Sequence, residues 1–385
     1  MDSQKTIVIL GGGMGGLVAA NVLKKKAGTS AKVVLIDKSK MYIHAPSFLY
    51  LMLGKRRVEK IRKNFSLLKR KGIEVVNGEI VKIDPAVKMV KTQSGDYRYD
   101  YLIISLGAEL VPGKIPGLAQ SGYNLYELQD IERLRDDLKG FSGGKVAIVI
   151  SSLPFKCPAA PYEAAFLLDE YFQKKGVRDT IEIGIFTPET LPMPAAGPEN
   201  GKIIKAMVEA RNITFNPEAK LVSVDQDKKE LLFEGNRTSQ FDLLIFVPPH
   251  QGPKVIRDSG IGNEMGWIPV DKKTLRTKYE NVFAIGDSAA ITLVSGKPLS
   301  KAGVFAHFEA EVAADNIMAD MKGLPAKREY DGRAFCFLEL GFGKAGFAGG
   351  DFYAEPVPIV TMKRPGRRWH WGKIVFEKYW LWRWF

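Results

Sequence analysis

The sequence opens on a glycine-rich turn that joins an apolar strand to a helix. The segment KTIVILGGGMGG ends in the spacing Gly11-x-Gly13-x-x-Gly16, and a helical pattern follows it. In this motif the first glycine allows a tight turn, the second lets the backbone approach a pyrophosphate, and the third lets helix and strand pack closely. The next apolar run, KVVLID, ends in Asp37, whose carboxylate suits a ribose 2′-hydroxyl and repels a 2′-phosphate. The chain therefore begins with a βαβ unit that predicts a dinucleotide site.

A second stretch, far along the chain, indicates which dinucleotide binds. TKYENVFAIGDSA, which contains Gly286 and Asp287, resembles the second FAD fingerprint of flavoproteins with two dinucleotide-binding domains. In such proteins the aspartate meets the ribityl chain of the flavin. The strand pattern YDYLIISLGA, which includes Gly107, resembles the strand that closes the first FAD segment. We therefore expect FAD as the cofactor, held by these residues together with the first glycine motif.

The distance between the two motifs predicts an FAD domain that is interrupted by an insertion. We expect residues 1–110 and 265–330 to form the FAD-binding domain and residues 111–264 to form a second Rossmann-like domain. The proline and glycine clusters VPGKIPG and VPPHQGP mark the two crossings between them. Residues 331–385 remain as a C-terminal region. The predicted fold class is α/β, with two Rossmann-like dinucleotide-binding domains, the second of NAD type but degenerate, and a C-terminal domain.

The inserted domain departs from the usual NAD-binding pattern in its first loop. After the apolar strand VAIVI comes SSLPFKCPAAP, which has no glycine, and its prolines remove amide donors. NAD(P)H is therefore not expected to bind there in the usual way. The loop instead carries Cys157, at the head of a predicted helix and beside Lys156, and both features predict a stabilised thiolate. Glu163, in the same helix, is a candidate proton acceptor.

Composition narrows the class of protein. The formal net charge of +13 favours an anionic membrane surface or nucleic acid as partner, and no nucleic-acid motif is present. There is no apolar run of about 18 residues and no secretory segment, so we expect a cytoplasmic protein without a transmembrane helix. The two cysteines, Cys157 and Cys336, and the four histidines show no metal-ligand spacing. By spacing alone, the two thiols are equally consistent with unrelated core residues.

Two stretches point to a family. CPAAPYEAA, after the degenerate strand, and FCFLELGFGKAGF, near the C-terminus, resemble sulfide:quinone oxidoreductase and the flavoprotein subunit of flavocytochrome c sulfide dehydrogenase. The resemblance implies that Cys157 and Cys336 form a redox pair at one face of the flavin and that Glu163 is a family carboxylate. It also implies that Lys301 lies near the pyrimidine end of the flavin, although an ordinary lysine at a helix start fits as well. Many members have a third cysteine, which in some anchors FAD covalently, and its absence here predicts non-covalent FAD.

The last residues form an aromatic, basic tail. RRWHWGKIVFEKYWLWRWF holds five of the six tryptophans. Arranged as a helix, it places one set of side chains on an apolar face: Trp371, Ile374, Val375, Tyr379, Trp382 and Phe385. His370, Lys373 and Glu377 fall on another face. Tryptophan and tyrosine suit the lipid headgroup region, so we expect an amphipathic, membrane-associating tail that is dispensable for flavin reduction. Docking on the protein's own core or on a second copy is the alternative.

Together these features predict an enzyme that oxidises sulfide to sulfane sulfur or polysulfide and passes electrons through FAD to a membrane quinone. We expect a peripheral protein on the cytoplasmic face of the cell membrane, with the quinone held in region 331–385 beside Phe337, Phe342 and Phe347. The alternatives are a type II NADH:quinone oxidoreductase and an FAD-binding, thiol-based sulfur or redox sensor. The cysteine that contacts the flavin, the sulfur product, the quinone species, a cytochrome as acceptor and a homo-oligomeric state stay open.

Overall fold

The computed structural model describes residues 4–326 and 328–385. It has a mixed α/β architecture with two parallel sheets and a C-terminal antiparallel sheet, which agrees with the predicted α/β class. Within the described residues, no helix is both long enough and apolar enough to cross a bilayer.

The first sheet has five parallel strands and is built around the glycine motif. Its strands, in spatial order, are Glu74–Asn77, Ala31–Asp37, Lys5–Leu10, Tyr101–Ile104 and Val282–Ala284. They are apolar throughout because both faces of the sheet are covered. Helices Met14–Ala27 and Gly303–Asp320 pack together on one face. A small antiparallel sheet on the other face consists of Ile80–Asp84, Met89–Thr92 and Gly95–Arg98.

The second sheet also has five parallel strands. In spatial order they are Tyr123–Asn124, Leu243–Val247, Gly144–Ile150, Ile181–Phe186 and Ile213–Asn216. One face is covered by helices Leu128–Gly140, Ala160–Lys175 and Pro198–Glu209. The other face packs against antiparallel strands Leu221–Asp225, Glu230–Phe233 and Arg237–Gln240. Where the chain crosses between the two sheets, strand Glu109–Leu110 pairs with the returning strand His250–Gln251.

The C-terminal region forms a three-stranded antiparallel sheet and one helix. The strands are Arg333–Glu339, Ala345–Asp351 and Ile359–Gly366, and the helix, which we call the tail helix, is Arg367–Arg383. Trp380 and Trp384 are buried against the helices of the first sheet, so one side of the tail helix belongs to the core. Trp371 and Trp382 are 63% and 74% exposed. The tail therefore combines docking on the protein with an uncovered aromatic face.

Short elements connect these layers. The helices are Phe48–Met52, Val58–Ile61, Leu118–Ser121 and Lys254–Asp258, and the strands are Met41–Ile43, Arg62–Asn64, Ile268–Pro269 and Ala289–Ala290. Single 3₁₀ segments lie at Ala45–Ser47, Phe65–Lys71, Pro112–Lys114, Arg178–Thr180, Pro194–Ala196, Glu234–Asn236 and Gly286–Ser288.

Candidate active site

The three glycines of the first motif have different surroundings. A Cβ on Gly11, whose φ is +89°, would lie 2.3 Å from the Ser105 carbonyl oxygen, and one on Gly16 would lie 1.9 Å from the Gly11 carbonyl oxygen. These two positions therefore need glycine for packing. A Cβ on Gly13 would meet no atom within 4 Å, and Gly13 lines a cavity of about 420 Å³. The open cradle at Gly13 has the form that a pyrophosphate requires.

The other expected flavin contacts border the same cavity, among them Asp37, Gly107, Gly286 and Asp287. Asp37 Oδ2 accepts a hydrogen bond from the Gly12 N–H at 2.6 Å, and burial raises the pKa of this carboxyl group. A Cβ on Gly107 would also meet no atom within 4 Å. The cavity therefore leaves free space beside Gly13, where the pyrophosphate is expected, and beside Gly107, after the strand that closes the first FAD segment.

Lys301 joins the flavin motif to the cysteine loop. Its Nζ donates to the carbonyl oxygens of Asp287, at 2.7 Å, and Ala289, at 3.2 Å, and lies 3.8 Å from the centroid of the Trp267 ring. Burial lowers the pKa of Lys301 to about 8, against the opposing effect of Asp287. The Lys301 carbonyl oxygen accepts a hydrogen bond from the Cys157 N–H at 2.6 Å. The candidate redox loop is thus hydrogen-bonded to the first domain.

Cys157 has a left-handed backbone, with φ of +50°. This conformation costs a non-glycine residue about 1–2 kcal/mol, so it persists only where neighbours impose it. Here the N–H bond to Lys301 does so, together with bonds to the Cys157 carbonyl oxygen from the Ala160 N–H, at 2.9 Å, and the Tyr126 hydroxyl, at 3.3 Å. The loop therefore holds Cys157 in one orientation at the cavity wall.

The expected stabilised thiolate at Cys157 is not what the structure shows. Burial raises the pKa of the Cys157 thiol to about 12, and the carboxylate of Glu163 adds to the effect. Lys156 Nζ lies 5.3 Å from the ring centroid of Tyr126 and does not offset the rise in the pKa of Cys157. The helix begins at Ala160, three residues beyond the thiol. The prediction of a low thiol pKa from Lys156 and the helix terminus is therefore wrong.

Cys336 lines the same cavity from the C-terminal sheet. Burial raises the pKa of its thiol to about 11, and Glu163 again contributes while Lys373 opposes. Each thiol is partly buried, and Cys336 influences the pKa of Cys157 directly. The structure therefore brings together two cysteines that are far apart in sequence and places one carboxylate and one ammonium group beside both.

That carboxylate and that ammonium group are a buried ion pair. Glu163 Oε1 lies 2.6 Å from Lys373 Nζ and also accepts the Glu339 N–H at 2.7 Å. The pKa of Lys373 is raised: burial alone would lower it, but the charges of Glu163 and Glu339 outweigh burial. Sequence reasoning placed Lys373 on the polar face of the tail and missed its role. The polar face of the tail helix could have indicated this role, because polar side chains on a docked helix need hydrogen-bond or charge partners.

The rest of the polar face of the tail helix is also engaged. His370 Nδ1 lies 3.0 Å from Glu339 Oε2, and Glu377 contacts the Ser47 hydroxyl at 2.6 Å and Arg56 Nε at 2.8 Å. The tail helix therefore completes the cavity wall. Part of the tail is thus docked on the protein, as in the alternative that the sequence left open, and its expected dispensability for flavin reduction stays a prediction.

The three candidate quinone aromatics do not lie together. Phe337 lines the cavity and its ring centroid lies 5.4 Å from that of Phe347, which stacks on Trp369 at 4.6 Å. Phe342 instead occupies a turn, with the guanidinium of Arg211 5.1 Å from its ring centroid. Of the three, Phe337 lines the cavity, whereas Phe342 and Phe347 do not, so a quinone site formed by all three rings stays a prediction. No group of metal-ligand side chains occurs in residues 4–326 and 328–385.

The chain is similar to several known proteins. Residues 5–310 match the pyridine nucleotide-disulphide oxidoreductase family. The mitochondrial sulfide:quinone oxidoreductase of Dictyostelium discoideum is 30% identical over 355 residues, which cover 88% of this chain and 76% of that protein. The crystal structure of sulfide:quinone oxidoreductase from Aquifex aeolicus superposes with a TM-score of 0.89 at 26% identity, covering 99% of this chain and 91% of that one. A type II NADH:quinone oxidoreductase of Staphylococcus aureus is 25% identical, with 84% of each chain covered.

Proposed function

Since the chain belongs to the pyridine nucleotide-disulphide oxidoreductase family and, within it, to the sulfide:quinone oxidoreductases, we propose that it oxidises sulfide through Cys157 and Cys336 and reduces quinone. The observation that carries the proposal is the single cavity that both thiols share with the Glu163–Lys373 pair and the open glycine cradle. The chain is a flavoprotein oxidoreductase, and the identity of its redox residues is the proposal.

FAD fits the residues that line the cavity. The open space at Gly13 and Gly107 suits a pyrophosphate and a ring system, and Asp37 and Asp287 are acceptors for ribose and ribityl hydroxyls. When bound, the flavin supplies the two-electron acceptor that reoxidises the thiols and the donor for quinone. We propose that it is held without a covalent bond, since the chain has two cysteines and the proposed reaction uses both. Acid precipitation should release the yellow flavin; flavin that stays with the polypeptide would contradict this.

The cavity residues suit attack by HS⁻ on the oxidised cysteine pair. A new S–S bond forms between the incoming sulfur and one cysteine, while the bond between the cysteines breaks and leaves its electron pair on the other as a thiolate. Lys373 stabilises this thiolate, since its charge lowers the pKa of both sulfurs. Because burial nevertheless keeps both pKa values high, the leaving sulfur takes up a proton. Glu163, ion-paired and beside both thiols, is placed to exchange it.

NADH is the competing electron donor, as in the Staphylococcus aureus relative. The second-domain loop from Ser151 to Pro158 has no glycine, and its backbone is hydrogen-bonded to Lys301 of the first domain. We therefore propose that this loop has lost the phosphate site. Anaerobic stopped flow with the flavin-loaded protein tests the choice: sulfide should bleach the flavin rapidly, NADH should not, and a short-chain quinone should restore the colour. Bleaching by NADH alone would overturn the proposal, and bleaching by sulfide without reoxidation by quinone would favour a sensor.

We propose that quinone enters beside Phe337 and that the exposed aromatic face of the tail helix lies on the membrane. This face presents Trp371, Val375, Tyr379 and Trp382. Indole and phenol rings suit the headgroup region, and Arg367 and Arg368 at the helix start suit anionic lipid. Attachment on the cytoplasmic face is part of the same proposal. Protease treatment of membrane vesicles of both orientations tests the side.

A further inference from the structure

Glu339 is a carboxylate that the proposed sulfur chemistry does not use. It is 0% exposed, although it lies at the end of the strand that carries Cys336. Its Oε1 accepts a hydrogen bond from the Tyr50 hydroxyl at 2.7 Å, and both of its oxygens lie within 3.1 Å of His370 Nδ1. A fully buried carboxylate is costly to keep unless it is well hydrogen-bonded, so its retention beside a redox site calls for a reason.

The contacts of Glu339 connect the cavity to the protein surface. On the inner side the charge of its carboxylate contributes to the raised pKa of Lys373, while its backbone N–H holds Glu163 in place. On the outer side lies His370, whose side chain is 20% exposed. An imidazole can accept a proton on one ring nitrogen and release one from the other, which suits a group between water and a buried carboxylate.

The charged and titratable groups around Glu339 come from three elements. Tyr50 belongs to the short helix Phe48–Met52, and its pKa is raised by burial and by Glu339, so it remains a donor. His370 and Lys373 come from the tail helix, and Glu163 comes from the helix after the cysteine loop. Glu163 and Glu339 thus share one ammonium group, that of Lys373. One added proton, on His370 or on Glu339, makes the net charge of these groups zero.

The stoichiometry of the proposed reaction requires one proton from outside. Oxidation of HS⁻ by a quinone, Q, follows HS⁻ + Q + H⁺ → S⁰ + QH₂, where S⁰ is sulfane sulfur on a thiol or polysulfide. Sulfide brings one of the two protons that the quinol needs. The second comes from water, and the Glu163 and Lys373 side chains, which are 3% and 12% exposed, are poorly placed to take it from there directly.

We propose that His370 and Glu339 are the proton inlet of this site: His370 takes the proton from water, Glu339 holds it, and the Glu163–Lys373 pair delivers it to the cavity. The inference rests on the proposed function, because it assigns a route to the proton that quinone reduction consumes. Both His370, at the inlet, and Lys373, at the cavity, then belong to the tail helix. They lie one turn apart on one face of it.

The test separates the two half-reactions of the flavin-loaded, full-length protein by anaerobic stopped flow. In His370→Ala, bleaching by sulfide should stay within about twofold of wild type, while reoxidation by a short-chain quinone should slow by at least about tenfold. Added imidazole should restore most of the lost rate, because it can enter the space that the ring leaves. A purely structural role would not produce rescue by a small proton carrier.

Two further variants complete the test. Glu339→Gln keeps a hydrogen-bond acceptor for Tyr50 but cannot carry the proton, so its slow reoxidation should resist imidazole. His307→Ala is the matched control, because His307 also contacts Trp380 of the tail helix and pairs with a carboxylate, Glu311 at 3.5 Å, away from Glu163. Its reoxidation rate should be unchanged. Normal reoxidation in His370→Ala, or slow reoxidation that imidazole does not restore, overturns the inlet; wild-type flavin that sulfide does not bleach overturns the proposed function instead.

Discussion

Replacing Lys373 by methionine removes a positive charge that pairs with Glu163 and lowers the pKa of both thiols. The Lys373 and Glu163 side chains are 12% and 3% exposed, and their charged atoms are 2.6 Å apart. Removing one partner of a buried pair costs about 3–5 kcal/mol, because the other charge stays buried without compensation. The chain avoids part of that cost only if Glu163 takes up a proton. Lys373→Met should therefore lower the free energy of unfolding by several kcal/mol, and by less at acidic pH.

A double-mutant cycle isolates the pair. Urea unfolding at a fixed excess of FAD would be measured for wild type, Lys373→Met, Glu163→Gln and the double variant. Since the double variant removes both charges of the pair and leaves Glu339 with His370 and Tyr50, its stability should exceed that of Lys373→Met, with a coupling energy of at least about 2 kcal/mol. Lys378→Met, an exposed lysine on the same helix, should change stability by less than about 0.5 kcal/mol.

The same variants separate stability from chemistry. The double variant should remain slow in sulfide-driven flavin reduction, because neither the leaving thiolate nor its proton then has a partner. A coupling energy below about 0.5 kcal/mol would refute the ion pair as a structural feature. Wild-type flavin reduction in the double variant would refute its role in the reaction.

Three further expectations concern other parts of the molecule. Cys157→Ser and Cys336→Ser should each slow sulfide-driven bleaching by at least about a hundredfold with unchanged flavin content, because a hydroxyl does not replace a sulfur in disulfide exchange; stopped flow and the visible spectrum measure both. Trp371→Gln combined with Trp382→Gln should weaken liposome binding in flotation assays while bleaching by sulfide is retained, since both indoles are exposed. Burial raises the pKa of Glu309 from 4.5 to about 7, so its ionisation destabilises the folded state progressively as pH rises from 4.5 and fully above 7. Glu309→Gln should therefore gain about 3 kcal/mol of stability relative to wild type between pH 4 and 8 in urea unfolding.

The sequence predicted best what short-range geometry determines. The spacing of the first glycine motif predicts its packing. The structure has the expected close backbone approaches at Gly11 and Gly16 and the expected open space at Gly13. The two parallel sheets follow from apolar strands alternating with helices. The prediction that Cys157 and Cys336 form a redox pair did not follow from spacing and came from the family resemblance.

What sequence reasoning missed depends on tertiary contacts. The pKa of Cys157 is set by burial and by Glu163, and neither the adjacent Lys156 nor the helix terminus compensates. Lys373 belongs to the cavity because Trp380 and Trp384 dock the tail helix on the first domain, which a search for a membrane anchor does not reveal. The position of Phe342 depends on its left-handed backbone, with φ of +52°, in the turn between the first two C-terminal strands.

The loop after strand Gly144–Ile150 connects these observations. A phosphate cradle needs free amide groups, whereas here the Cys157 N–H is donated to the Lys301 carbonyl oxygen. The bond that removes this amide from nucleotide binding also imposes the left-handed backbone that holds the thiol at the cavity wall. The proposed absence of an NADH site and the proposed redox role of Cys157 therefore depend on the same hydrogen bond. Restoring glycines in this loop would release Cys157 from its orientation, so it should reduce sulfide oxidation without by itself creating a dinucleotide site.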